Sequence, residues 1–504
     1  MPDRSTVVMK FGGTSVADPE KIKDVARRLV DARTAGNRVI GVLSAMGGTT
    51  DELLELARQV SEHPHPRELD MLISVGERIS NALCAMAIHD LGHEAVPALA
   101  GEAPGRAGTV VMKFGGTSVA DTQHIKAVAR RLVAASEAGN RVVAVLSAMG
   151  DTTDELVRLA NEISARPAPR ELDMLISVGE RVSCALAAMA IHDLGHEAIS
   201  LTGSQAGIVT DTTHGKAKIV DVRARRIHEA LDDDHIVLVA GFQGVSTAYD
   251  VTTLGRGGSN LTAVALAAAL GADACEMYTD VEGVFTADPR LVPSARKLHA
   301  VSYGEMLEMA ASGAKVLQLR SVEFARSHGV KLHVRSSFSD ADGTWIREED
   351  ERMLEKAIIS GVTHTVEEAI YRVEGAKAAE LFQALADAGA SVDTIIQTGP
   401  EIVFSAPFSD VDDVTRTLDA LRVEWSSRED LGKVSLIGAG MKTHPGIAGK
   451  TFATLADIGI EPQIVNTSPI KIACFVPRAD VERAVMALHD AFELDTEEAM
   501  RAHE

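Results

Sequence analysis

The chain has 504 residues, enough for three or four domains, and its 46% hydrophobic and 24% charged content is ordinary for a soluble globular protein. A formal net charge of −22 argues against sequence-blind binding to nucleic acid or to an anionic membrane, both of which need a basic surface. The longest apolar run, Leu261–Leu270, is too short to span a bilayer; no signal-peptide pattern opens the chain, and Cys84, Cys184, Cys275 and Cys474 form no CxxC pair. A cytoplasmic protein with buried free thiols is expected.

Val7–Asp18 reads VVMKFGGTSVAD, and Val110–Asp121 repeats it letter for letter. The repeat extends from Val7–Ala95 onto Val110–Ala198 without gaps, at an offset of 103 residues and with about three positions in four identical. Each copy reads as strand, turn, helix, strand and further helix. In the second copy Ile125, Val128, Ala129, Leu132 and Val133 recur at the helical period behind a capping Asp121, and RVVAVLSAM is a β-branched run suited to a buried strand. Strands alternating with helices predict a parallel sheet.

After the first copy comes only PALAGEAPGRAGT, a linker composition. The second copy continues into TGSQAGIVTD, HIVLVAGFQGV, TTLGRGGSN and further strand-helix units to about Ser339. Residues 1–103 therefore read as a partial lobe plus linker, and 104–345 as a complete α/β domain. From about Glu351 the pattern changes to two small βαββ-type modules, 352–430 and 431–504, of a kind that usually binds ligands or regulates.

Four segments carry candidate chemistry. KFGGTS sets Lys113 at a strand end before Gly115 and Gly116, a turn whose backbone N–H groups and following helix attract phosphate oxygens; a tight strand-to-helix turn alone would also use Gly-Gly. LGRGGSN (Leu254–Asn260) is a second glycine-rich turn, with Arg256 and Ser259 suited to an anion. SVGER places Glu180 in an apolar helix, either as a structural ion pair or as the partner of a cationic substrate group. YTDVEGVFTADPR (Tyr278–Arg290) ends a strand and turns at Asp288 and Arg290, and ligands bind at the C-terminal ends of such strands. No Walker pattern is present, and GAGMKT lacks its spacing.

Together, KFGGTSVAD, VLSAMGDTTDEL, MLISVGERVSCALAAMAI, TGSQAG, VAGFQG, TTLGRGGS and TDVEGVFTADPR resemble the aspartokinase family, most closely its actinobacterial type, over about Val110–Phe492. The resemblance implies the amino-acid kinase fold, an αβα sandwich with a mainly parallel sheet, followed by two ferredoxin-like ACT domains. It implies phosphoryl transfer from ATP, with Mg²⁺ on the phosphates, to the β-carboxylate of L-aspartate, the first step towards lysine, threonine and methionine. By the same resemblance Lys113, Arg256 and Asn260 sit at the catalytic positions. Ser147, Thr153, Glu180, Arg256, Gly257 and Ser259 would bind aspartate, with Glu180 near its amino group. Lys113, Gly115, Gly116, Thr279, Asp280, Phe285, Asp288, Arg290 and Lys315 would bind ATP, and no protein metal site is implied. Family members assemble as homodimers or α2β2 complexes through their ACT domains, and Met353 lies near where an internal start would yield a separate small subunit.

The chain departs from the family in three ways. Asn260 replaces the aspartate of LGRGGSD, which predicts lowered activity, or alternatively an amino-acid-sensing subunit with an inactive kinase domain. A related kinase for another acidic substrate is a further alternative. The effector positions Gln397, Met441, His444, Gly446, Asn466 and Thr467 sit in altered motifs, Gln-Thr and VNTSPI among them, so feedback by lysine and threonine should be weak. The first copy supplies Lys10, Ser44, Thr50 and Glu77 but nothing to match Arg256 or the nucleotide half. It is expected to be non-catalytic and to pack on the kinase domain or another subunit, or else to swap with the second copy.

Overall fold

The structure, a computed structural model, describes residues 6–51, 54–55, 79–81, 83–93, 95, 108–348, 359–438, 441, 444 and 446–496. Its contacts divide the chain into two compact units, Met1–Arg106 and Ala107–Glu504.

In the first unit, strands Thr6–Phe11 and Arg38–Leu43 pair in parallel, with helix Pro19–Thr34 between them in the chain. The Asp18 carboxylate accepts from the Lys21 N–H, capping that helix. Phe11, Val16, Ile22, Val25, Leu29, Leu43 and Cys84 form a small core on one sheet face. On the other face Val8 is 61% exposed and Val42 43%. Glu77 lies outside the described residues.

The second unit is built on an eight-stranded sheet, in the order Ala300–Ser302, Thr344–Arg347, Leu332–Ser336, Ala274–Thr279, Thr109–Phe114, Arg141–Leu146, Ile236–Ala240, Ala198–Leu201. Every pairing is parallel except that between Leu332–Ser336 and Thr344–Arg347. Strand residues alternate between two cores because successive side chains point to opposite faces. Val111, Val143 and Val145 join Ala263, Val264, Leu266 and Ala267 of helix Gly258–Leu270. Met112, Phe114, Val142, Ala144 and Leu146 meet helices Thr122–Glu137 and Val178–Asp193. The helix Gly258–Leu270 has buried residues all round, as its uniformly apolar sequence requires. The three-layer αβα architecture follows.

Pro169–Asp193 is the one described stretch long and apolar enough to cross a membrane, and half of it is buried in the protein. It is two helices, Pro169–Ile176 and Val178–Asp193, with a turn residue at Ser177 between them. All four cysteines are free and buried.

The C-terminal region carries two four-stranded sheets, each in antiparallel order. Here the expected end-to-end modules need correcting. Strand Gly361–Thr365, assigned by sequence to the first module, pairs with Leu431–Ile437 of the second, from Gly361 opposite Ile437 to Thr365 opposite Lys433. The module of strands Glu368–Glu374, Ile395–Thr398, Glu401–Pro407 and Glu424–Arg428 is thus inserted within the other. Strand periodicity is satisfied by either partner, so only long-range packing selects between them.

Candidate active site

Parallel pairing in register brings the C-terminal strand ends to one edge. Lys113 lies opposite Val145 and Met277 on its neighbours, and Val145 lies opposite Val239, so the turns after Phe114, Leu146, Ala240 and Thr279 all open there. The first two turns interlock: Ser147 N–H donates to Phe114 O at 3.1 Å and Gly150 N–H to Gly116 O at 3.3 Å. A Cβ on Gly116 would stand 3.3 Å from the carbonyls of both Ala148 and Gly150, which explains the glycine as close backbone approach.

Lys113 reaches back over this turn, its Nζ 3.2 Å from where a Gly115 Cβ would sit. Burial lowers its pKa to about 8, partly offset by Cys275 and the Asp280 carboxylate. Glu180 lies in the first turn of helix Val178–Asp193 and is buried. Burial pushes its carboxyl up to about 7, against backbone N–H bonds from Glu180 itself and Ala148. Its Oε2 has no hydrogen-bond partner among the described residues. Glycine at 179 permits this helix to abut the Ser147–Gly150 turn, since a Cβ there would lie 2.6 Å from that of Ala148.

The LGRGGSN turn enters helix Gly258–Leu270 through Gly257, which has φ 70°, a left-handed conformation suited to glycine. Ser259 packs on Gly241 at the end of strand Ile236–Ala240, where a Cβ would lie 2.8 Å from the serine Oγ. Asn260 occupies the third helical position. Lys113, Ser147, Thr153, Arg256, Ser259 and Asn260 make no side-chain hydrogen bond or ion pair among the described residues. Ser259 and Asn260 are buried, Lys113, Ser147 and Thr153 half-buried and Arg256 exposed; buried polar groups normally find partners, so the unpaired ones among them make this edge a candidate ligand site.

The nucleotide-side candidates divide. Thr279 Oγ1 donates to Asp280 Oδ1 at 3.0 Å at the neighbouring strand end. Phe285 bridges to Lys297, and the Arg290 guanidinium forks onto Asp288 at 3.0 and 2.7 Å, holding that carboxyl below its usual range. Lys315 instead pairs with Glu367 of the C-terminal region at 2.7 Å. The effector candidates are also split. Asn466 Nδ2 reaches Thr394 Oγ1 of the inserted module at 3.5 Å, while Gln397 and Thr467 are exposed strand residues. Gly446, with φ 108°, opens helix Ile447–Asp457 beyond Met441 and His444.

Sequence reasoning missed three polar residues behind the candidate site, Asp173 and Gln243 buried and Arg320 half-buried. Asp173 accepts from Thr253 Oγ1 at 2.6 Å and the Gly215 N–H at 3.1 Å, and pairs with His214 Nδ1 at 2.7 Å. Gln243 Nε2 donates to Ser177 O at 2.8 Å. The Arg320 guanidinium donates to Leu254 O and Ala217 O at 3.0 and 2.8 Å. A charged or amide residue inside an otherwise apolar or small-residue segment was the available signal.

A family model described as the amino acid kinase family matches residues 5–107 and again 108–336, and an ACT domain model matches 434–492. The aspartokinase of Mycolicibacterium smegmatis is 51% identical over 404 residues, spanning 76% of this chain and 96% of its own length. That of Corynebacterium glutamicum is 48% identical over 408 residues, or 77% and 97% of the two chains. The structure of E. coli aspartokinase III in complex with aspartate and ADP shares the fold, with a TM-score of 0.60 at 24% identity, covering 97% of this chain and 99% of that one.

Proposed function

The chain belongs to the aspartokinase family, and we propose on that premise that its second unit holds one working site that transfers the γ-phosphoryl group of ATP to the β-carboxylate of L-aspartate. The observation carrying this reading is the set of unpaired polar groups at one sheet edge: a desolvated lysine, a buried carboxyl with a free oxygen, and a glycine-rich turn bearing an unpaired arginine.

The substrate carboxylate is ionised near neutral pH, its ordinary pKa being ~3.9, so no general base is required. The work is positioning and charge neutralisation. Arg256 forks onto the other carboxylate, the free oxygen of Glu180 takes the ammonium, and Ser147, Thr153, Ser259 and the Gly257 backbone complete the cradle. Lys113 meets the transferring phosphoryl group above the Gly115–Gly116 turn. Thr279, Asp280, Phe285, Asp288 and Arg290 hold the nucleotide, and Lys315 joins them on leaving Glu367. Mg²⁺ would be held on the ATP phosphates by one or two carboxylates and waters, neutralising phosphate charge. The exposed Asp280 fits that need, where no cluster of three ligating side chains exists among the described residues.

The first unit is a spare, non-catalytic lobe, since among the described residues no counterpart of helix Gly258–Leu270 covers its sheet face. Assembly runs through the C-terminal modules as a homodimer or α2β2 complex in the cytoplasm, and their altered effector positions leave feedback weak. Millimolar lysine plus threonine should leave most activity intact; strong inhibition would refute the last point.

The test is ATP-dependent aspartyl hydroxamate formation by the full chain and by a variant lacking residues 1–103, with a panel of other acidic amino acids. Activity in both with aspartate supports the reading. Activity in neither, with ATP still bound, favours the sensor alternative suggested by Asn260; activity in the full chain alone makes the first lobe part of the site.

A further inference from the structure

Arg256 is exposed and makes no side-chain hydrogen bond or ion pair among the described residues, yet the turn that carries it is tied from several sides. Thr253, directly before Leu254-Gly255-Arg256-Gly257, is buried, and its hydroxyl donates to Asp173 Oδ1 at 2.6 Å. The same carboxylate accepts the Gly215 N–H at 3.1 Å and pairs with His214 Nδ1 at 2.7 Å. Gly215 in turn abuts the arginine turn: its carbonyl oxygen lies 3.1 Å from where a Cβ on Gly255 would be. Ala217 N–H donates to Thr253 O at 2.9 Å, and Arg320 ties the carbonyls of Ala217 and Leu254 together from outside.

One buried carboxylate, 1% exposed, therefore joins helix Pro169–Ile176, the 214–215 loop and strand Val251–Thr253. A carboxylate fixed by charge-assisted hydrogen bonds is a strong, directional anchor. Helix Pro169–Ile176 also leads, through Ser177, into the helix that presents Glu180. The two substrate-facing charges, one positive and one negative, are thus referenced to the same short helix.

We propose that Asp173 is a positioning residue that sets the reach of Arg256 relative to Glu180, and thereby selects a substrate carrying a carboxylate and an ammonium on one short carbon chain. This rests on the aspartate-kinase reading. Because the side-chain hydrogen bonds of Asp173 go to His214, Gly215 and Thr253 and, among the described residues, none goes to the Lys113 turn or the Thr279–Asp280 strand end, its loss acts on the acceptor substrate and not on ATP.

The experiment compares wild type, Thr253→Val and Asp173→Asn for KM of aspartate, KM of ATP, kcat, melting temperature and inhibition by succinate, which lacks the ammonium. Thr253→Val removes one hydrogen bond to a charged group while keeping side-chain shape, so KM for aspartate should rise roughly tenfold. KM for ATP and the melting temperature should stay near wild type, and succinate should bind more weakly in proportion, since the defect lies on the Arg256 side. Asp173→Asn should move KM in the same direction. An aspartate KM within twofold of wild type in Thr253→Val would overturn the proposal, as would a parallel rise in both KM values with a lowered melting temperature. A wild type inactive on aspartate would overturn the underlying reading, a result seen before any variant is compared.

Discussion

Thr286 Oγ1 and His489 Nε2 lie 3.0 Å apart, so the loop following the Thr279–Asp280 strand end is hydrogen-bonded to the last helix of the C-terminal region. Apolar packing reinforces the link. Ala287 and Val292 of this loop are buried in the same cluster as Val362, Leu436, Val485 and Leu488, and Val362 N–H donates to Thr286 O at 2.7 Å. The candidate nucleotide loop thus shares a core with the C-terminal region.

Burial lowers the pKa of His489, with Asp490 partly opposing, and likewise that of His364 nearby. A histidine whose folded pKa lies below its unfolded value of about 6.5 contributes stability that is complete above that pH and is lost as pH falls. The melting temperature should therefore drop between about pH 7 and pH 5.5. His489→Gln, which can still bond Thr286 without titrating, should flatten part of that drop. An unchanged slope in the variant would count against this account.

Glu180 shifts the opposite way. Its carboxyl, raised to about 7 by burial, stabilises the free protein most below the ordinary range and loses that contribution as pH rises through 7. The ammonium of aspartate pairs with the ionised form, so KM for aspartate should fall as pH rises from about 6 to about 8. Glu180→Gln should give a pH-independent KM, higher by roughly tenfold to a hundredfold at pH 8. Steady-state kinetics across this range distinguish the two profiles.

Lys113→Met should reduce kcat by about 10²–10³, the scale of losing one transition-state charge stabiliser, with circular dichroism unchanged. The matching Lys10→Met should have no effect on kcat. Because burial brings Lys113 to about 8, kcat/KM for ATP should decline above that pH. A Lys10 variant as impaired as the Lys113 one would mean that the first lobe enters the site.

Asn260 stands at the third position of helix Gly258–Leu270, where the N-terminal dipole favours an acid. Asn260→Asp should stabilise the helix start by up to about 1 kcal/mol and raise activity if the missing charge is what lowers it. A variant no faster than the parent in the hydroxamate assay would remove Asn260 as a cause of lowered activity.

Much of the site was legible in sequence because its signals are local. Glycines at 115, 116 and 257 answer to turn geometry within a few residues, and alternation of apolar strands with periodic helices dictates a parallel sheet with ligand-binding turns at one edge. The tertiary structure alone decided the partners. Gly361–Thr365 joins Leu431–Ile437, Lys315 meets Glu367, and Asp173 clamps Thr253 from 80 residues away in the chain. The repeat makes the division plain. Val8 and Val111 occupy the same place in identical strands, yet one is 61% exposed and the other 0%. Local sequence fixes the strand, whereas burial requires a covering helix, and Gly258–Leu270 packs on the second copy's sheet.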